Sequence, residues 1–150
     1  MLRQTISDAL TQAMKAQDKR RLSTLRLVTA ALKDRDIANR TAGKEPAGDD
    51  EVLGILGKMI KQREESARVY DEGKRPELAE AEREEIAIIA GFLPQQMSED
   101  EVRKACEAVI AETGAAGLRD MGKCMAVLKE RYAGKMDFAK ASAVIKSLLQ

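Results

Sequence analysis

The sequence predicts an all-α protein: an N-terminal four-helix domain over residues 1–94, then a small three-helix tail domain over residues 95–150. Three observations predict this. Apolar residues recur at helical spacing along most of the chain, strand-favouring runs are absent, and residues 91–102 hold a helix stop and a helix start close together. Pro94 removes a backbone donor and biases Leu93 away from helical angles, so one helix ends there. Ser98 and Glu101 have the spacing of a capping box, in which the Ser98 hydroxyl accepts from the Glu101 amide while the Glu101 carboxylate reaches back. Phe92, Leu93 and Met97 around this break are apolar residues placed to pin one domain to the other.

Composition narrows the chemistry. A chain of 150 residues makes one ordinary domain or two small ones. It is 44% hydrophobic and 34% charged, the latter well above the usual quarter. With two Phe, two Tyr and no Trp, the core must be aliphatic, helped by seven Met. The amino terminus has no apolar run of signal-peptide length, and nowhere do 18 apolar residues follow one another, so a cytoplasmic protein with no membrane partner is expected. No histidine is present, which removes Ser-His-Asp and Cys-His nucleophiles and most metal sites; no metal or other cofactor is expected. Cys106 lies among Val102, Val109 and Ile110 and Cys124 between Met121 and Leu128, so both read as small core residues without a disulfide.

The first helix should cover residues 2 to 17, with Leu2, Ile6, Ala9, Leu10 and Ala13 inward and Asp18 capping its successor. The second, over 19–39, buries Leu22, Leu25, Val28, Thr29 and Leu32, and its basic start, Lys19, Arg20 and Arg21 with Arg26, reads as solvent dressing. Residues 40–48, with two Gly and a Pro, read as a flexible loop. Asp49 or Asp50 should cap a third helix ending at Glu72, with Gly73 as its left-handed terminator. Its inward stripe of Val52, Leu56, Met59, Ile60, Ala67 and Tyr70 includes Arg63, and a buried Arg needs a partner; a carboxylate such as Glu85 is the expected one. Pro76 suits the first turn of the fourth helix, whose first half is acidic and whose inner side is Leu78, Ala81, Ile86, Ile89 and Phe92. In the tail, helices are expected over 99–112, from 118 to just before Gly134, and over 137–149.

Charge is uneven although the net is only +1. Residues 1–75 carry 16 basic against 12 acidic side chains, 76–95 carry 1 against 5, and 113–150 carry 7 against 3. In the tail, Arg119 and Lys123 should share a helical face, and Lys129, Arg131, Lys135, Lys140 and Lys146 follow. A cationic surface of this kind suits a phosphate backbone. Gly122 inside a helix costs roughly 1 kcal/mol relative to Ala, which calls for close approach of another backbone, either a neighbouring helix or a ligand.

Several runs together resemble the GatB/YqeY family: MIKQREESA at 59–67, FLPQQMSEDE at 92–101, Gly114 with Ala115, DMGK at 120–123, and Gly134 with Asp137. The tail resembles the carboxyl-terminal domain of GatB, a component of the glutamine-dependent aspartyl/glutamyl-tRNA amidotransferase, and the whole chain is similar to stand-alone bacterial proteins carrying it. The chain departs from the pattern at Phe138, where the family often has Gly. The resemblance implies a two-part helical fold with a tRNA-associated tail, and it brings no catalytic residues, since the enzyme's chemistry belongs to its other parts. The leading expectation is therefore a non-catalytic accessory module for tRNA or another structured RNA, bound through Arg119, Lys123, Lys129, Lys135 and Lys140. The alternatives are participation in glutamine-dependent carbon–nitrogen ligation, with a protein partner in tRNA-dependent amidation, and a protein-binding adaptor.

Overall fold

A computed structural model describes residues 1–150, and it contains seven α-helices, one short 3-10 turn and no strand. The helices are α1 (Leu2–Ala16), α2 (Lys19–Thr41), α3 (Asp49–Glu72), α4 (Pro76–Ala90), α5 (Glu99–Thr113), α6 (Met121–Arg131) and α7 (Phe138–Leu149), with the 3-10 turn Leu118–Asp120 leading into α6. Contacts divide the chain into two compact units, Met1–Leu93 and Pro94–Gln150. No helix is long and apolar enough to cross a membrane.

In the first unit the helical periodicities converge on one aliphatic core. Ile6 of α1, Val28 and Leu32 of α2, Val52, Leu56 and Met59 of α3 and Ile89 of α4 pack together, with Phe92 and Leu93 lying against them. Asp18 caps α2 as expected, accepting from the Arg21 amide. Arg63, half-buried on α3, meets Glu85 of α4 at 3.0 Å, so the charge on the inward stripe has its partner. Ala79 is fully buried on α4, whereas Leu78, Ala81 and Ile86 are only partly so.

Two expectations about the ends of α3 fail. The cap of α3 is Gly48, with no side-chain cap; Asp49, Asp50 and Glu51 are already in the first turn, where their charge suits the helix dipole. Asp49 instead accepts from the Leu2 amide at 3.1 Å. Gly73 is not left-handed (φ −81°); Lys74 is, at φ 59°. Pro76 forces Arg75 off the helical region, so the reversal falls at the residue just before Arg75. There the Lys74 amide donates to the Asp71 carbonyl and the Arg75 amide to the Tyr70 carbonyl, closing the paired bonds of a Schellman ending.

Residues 40–48, expected to be a flexible loop, open with the last two residues of α2, and the remainder, 42–48, is tied down at Ala47, which is buried in the core. The Ala47 amide donates to the Asp36 carboxylate at 2.9 Å, and the same carboxylate holds Arg3, whose guanidinium reaches the Ala47 carbonyl. Buried Asn39 adds a second tie, donating to the Glu45 carbonyl and to Glu51. The Gly and Pro residues shape the turn, but its ends are fixed by polar partners on α1, α2 and α3.

In the second unit the core is Ala105, Cys106 and Val109 of α5, Cys124 and Leu128 of α6, Met136, and Ala141 and Ile145 of α7. Met97, Val102, Met121, Met125, Tyr132, Phe138 and Leu148 lie partly buried against it. Both cysteines are free and buried, as expected of core thiols, and burial pushes the Cys106 thiol up from its ordinary pKa. The capping box at Ser98 is complete, with both reciprocal bonds at 3.1 Å. Gly114, left-handed at φ 66°, ends α5. Phe92 and Leu93 are thus accounted for in the first core and Met97 in the second.

Replacing Lys74 with Gly removes the penalty of a left-handed side-chain-bearing residue and should raise unfolding stability by about 1 kcal/mol in urea titration. Gly73→Ala should change little by comparison.

The Asp36 tie predicts a pH dependence. The Ala47 amide and then Arg3 hold the Asp36 carboxyl below the usual aspartate pKa. Its stabilising contribution is therefore complete above the ordinary value of about 4 and is lost as pH falls through the lower folded value. Asp36→Asn should destabilise the protein near neutral pH, and the gap to the parent should close in melts carried out progressively below about pH 4.

Candidate nucleic-acid interface

The turn between α5 and α6 is built around Asp120. After Gly114 reverses the chain, the Ala115 amide returns to the Ile110 carbonyl at 3.2 Å, and the Ala116 amide donates to the Asp120 carboxylate at 2.9 Å. The Asp120 amide closes the 3-10 turn on the Gly117 carbonyl at 3.0 Å. The Ala116 amide, chiefly, holds the Asp120 carboxyl below its ordinary pKa, and the charges of Arg119 and Lys123 act in the same direction. Asp120 thus orders the turn and sets a negative charge beside these two cations. No side chain caps α6, which leaves its first amides without a side-chain acceptor.

Arg119 and Lys123 are both exposed, but they do not lie on one continuous α-helix: Arg119 belongs to the 3-10 turn and Lys123 to the first turn of α6. Lys129 is near the other end of α6, roughly 9 Å further along the axis by helical rise. Lys135 sits in the connection to α7, with its carbonyl accepting from the Met97 amide at 2.9 Å, while the Gln96 side chain donates to the Gly134 carbonyl at 2.6 Å. Lys140 is in the first turn of α7, behind the Asp137 cap, whose carboxylate accepts from the Ala139 amide. Arg119 and Lys123 are therefore brought together around Asp120, and Lys129, Lys135 and Lys140 stand on separate stations of the same unit. All five are exposed.

Arg131, also cationic in sequence, is engaged: it reaches across to Glu112 at 2.5 Å, and that pairing holds the Glu112 carboxyl low and Arg131 high. Arg103 pairs with Glu107 one turn away. The close-packing explanation for Gly122 is overturned. It is exposed in the first turn of α6, and a Cβ built on it meets nothing within 4 Å. No neighbouring helix needs that space, so the small residue simply leaves the surface between Arg119 and Lys123 low.

The two thiols are buried, and no group of three or more His, Cys, Asp or Glu is placed to hold a metal ion. What the arrangement offers is a set of solvent-facing cations on a small compact unit, two of them at the start of α6. Such features bind anions by charge and hydrogen bonding.

Comparison with known proteins bears on the whole chain. The family model described as Yqey-like protein matches residues 3–149. Altered inheritance of mitochondria protein 41, mitochondrial, of Clavispora lusitaniae is 34% identical over 84 residues, 56% of this chain and 46% of that protein. An uncharacterized protein of Schizosaccharomyces pombe is 32% identical over 97 residues, 65% of this chain and 76% of its own length. The matched segment therefore spans less than half of the mitochondrial relative.

With open space at its Cβ position, Gly122→Ala should be tolerated and should stabilise the fold by up to about 1 kcal/mol in chemical denaturation, through helix propensity alone. A loss of stability of that size would instead require a close packing partner.

Proposed function

This chain belongs to the YqeY family, and we propose that it is a non-catalytic, RNA-associated accessory module whose tail, residues 95–150, holds a tRNA or another structured RNA by its phosphate backbone. The observation that carries the reading is the division among the tail's cations. Arg103 and Arg131 are engaged by Glu107 and Glu112, whereas Arg119, Lys123, Lys129, Lys135 and Lys140 are exposed and close no ion pair. Exposed pairs contribute little to folding, roughly 0–1 kcal/mol each, and cations left outside even that use are free to meet phosphates.

The strongest point is the start of α6. Arg119 and Lys123 flank Gly122, whose missing side chain lets a backbone come near, while the first amide of α6, that of Met121, is already bonded to the Leu118 carbonyl. A phosphate there gains from the helix dipole as well as from the two side chains. Asp120 works against binding, but its carboxylate is already committed to the Ala116 amide. The resemblance of the tail to the tRNA-associated part of the amidotransferase component GatB supports RNA as the polyanion, and the mainly cationic character favours affinity over base selectivity. The two free thiols are consistent with a reducing compartment, and the cytoplasm is the proposed one.

Mobility shift of bulk tRNA with the full chain across a salt series tests this reading. Binding should weaken steeply as salt rises, and Arg119→Ala with Lys123→Ala should reduce the magnitude of the log–log salt slope by about 1.5 to 2. Absence of binding at low salt, or a slope untouched by the double substitution, would overturn it.

A further inference from the structure

The cations of α2 fall into two classes that their sequence positions conceal. Arg20 reaches Glu84 of α4 at 3.3 Å, and Arg21 lies over the Phe92 ring, 5.9 Å from its centroid. These two hold α2 to elements of its own unit. Lys19, Arg26, Lys33 and Arg40 are exposed and close no ion pair. Every other arginine within residues 1–93 is engaged by a carboxylate, or in the case of Arg21 by the aromatic ring. Arg26 and Arg40 are the exceptions, and both stand in the same row.

The row is geometrically regular. Its members are seven residues apart, two helical turns less about 20° per step, so they run along one side of α2 with roughly 10.5 Å between neighbours and about 31 Å from first to last. That side adjoins the buried stripe of Leu25, Val28 and Leu32, since Arg26 and Lys33 each follow a buried leucine by about 100° of helical rotation. The residues between the cations at i+4 are small or apolar, Ser23, Ala30 and Ile37, and one carboxylate of the row, Asp36, lies between Lys33 and Arg40. Asp36 is hydrogen-bonded to Arg3 and to the Ala47 amide, and its charge also acts on Arg40 at the end of the row; Asp34 lies on one flank. On the other flank a groove between α1 and α2 is lined by Arg3, Gln4, Ser7, Thr29 and Lys33 together with apolar Ile6, Leu10 and Leu32.

We infer that this face of α2 is an RNA-docking surface, in which Lys19, Arg26, Lys33 and Arg40 meet successive phosphates of a structured RNA and the Gln4 and Ser7 edge of the α1/α2 groove lies alongside its ribose edge. A row of point charges about 31 Å long, winding by about 60° from end to end, fits an extended, periodic polyanion better than a compact ligand. Hydroxyl and amide groups beside the row suit 2′-hydroxyls, the feature that separates RNA from DNA. This surface belongs to the first unit, stands on its own observations, and is tested separately from the tail.

The experiment is fluorescence anisotropy of a labelled mixed-sequence RNA duplex with the full chain over a salt series. Arg26→Ala with Arg40→Ala should weaken binding at low salt at least tenfold and lower the salt-slope magnitude by about 1.5 to 2. Lys58→Ala with Lys74→Gly, which removes the same charge from exposed positions off the row, should change affinity less than threefold. Arg26→Lys with Arg40→Lys should retain most of the binding, and circular dichroism melts verify that each variant is folded. Equal losses in the on-row and off-row pairs would reduce the effect to net charge and overturn the docking surface, as would an unchanged on-row pair. Equally tight binding of the same-sequence DNA duplex, or row-dependent binding to phosphatidylserine vesicles in place of RNA, would overturn the choice of RNA. Arg119→Ala with Lys123→Ala, run in parallel, reports on the tail alone, so either surface can fail without the other.

Discussion

Pro94 has no amide to give, and the residue before it is kept out of the helical region. That covalent constraint sets where α4 must end, and the capping box four residues later sets where α5 begins. Between them only a few residues remain, too few to form a layer of their own. Their apolar side chains are absorbed into the nearest core on their own side of the break: Phe92 and Leu93 into the cluster around Ile89, Met97 into the cluster around Cys106 and Ala141. Small aliphatic cores of this kind depend on many modest burials, about 1.5–3 kcal/mol for each large side chain fully removed from water. Chain breaks therefore have to be placed so that no such residue is wasted.

Most of the fold was legible because most of it is local. Helix periodicity, the Asp18 cap, the Ser98–Glu101 box and Pro76 at the head of α4 involve residues within four of one another, and they are found as expected. Arg63 with Glu85 was legible for a different reason: a charge on an inward stripe demands a partner, and the acidic face of α4 could supply one. The misses are places where a distant residue or a competing local restraint decides. Gly73 has the identity of a left-handed terminator, yet the restraint of Pro76 on Arg75 moves the reversal to Lys74. Residues 42–48 have the composition of a mobile loop, yet Ala47 is fixed by Asp36 and Arg3, partners 11 and 44 residues away. Nothing in the loop's own sequence carries that information.

The candidate site was legible as a set of residue types and not as an arrangement. Cations at positions 119, 123, 129, 135 and 140 are plain in the sequence, but only Arg119 and Lys123 come together, and the 3-10 turn that separates them from a common helix has no strong sequence mark. Gly122 invited an explanation by close packing, which fails because exposure cannot be read from residue identity. On α2 the position was the reverse. Lys19, Arg20, Arg21 and Arg26 looked alike as solvent dressing, and only the partners reveal that Arg20 and Arg21 hold the helix in place while Arg26 does not.

Pairing is what separates structural from available charge in a protein with this composition. With 34% charged residues and a net charge of only +1, a random surface would let most cations find an acid within reach. Exposed pairs stabilise weakly, so an arrangement that engages nearly every arginine of the first unit yet leaves two unpaired ones in register with two lysines is not dictated by the energetics of the fold. The helix does not need those side chains to be cationic, because any long polar residue would solvate the outer face and lysine and arginine have no large advantage over glutamine in propensity. What the cationic choice adds is a potential along one helix, opposed within the row only by Asp36, whose carboxylate is already hydrogen-bonded to Arg3 and the Ala47 amide. Such a field acts on partners outside the molecule, raising the local concentration of a polyanion before any contact forms. The same reasoning applies at the start of α6, where the ion pairs of Arg103 and Arg131 leave Arg119 as the tail's one unpaired arginine.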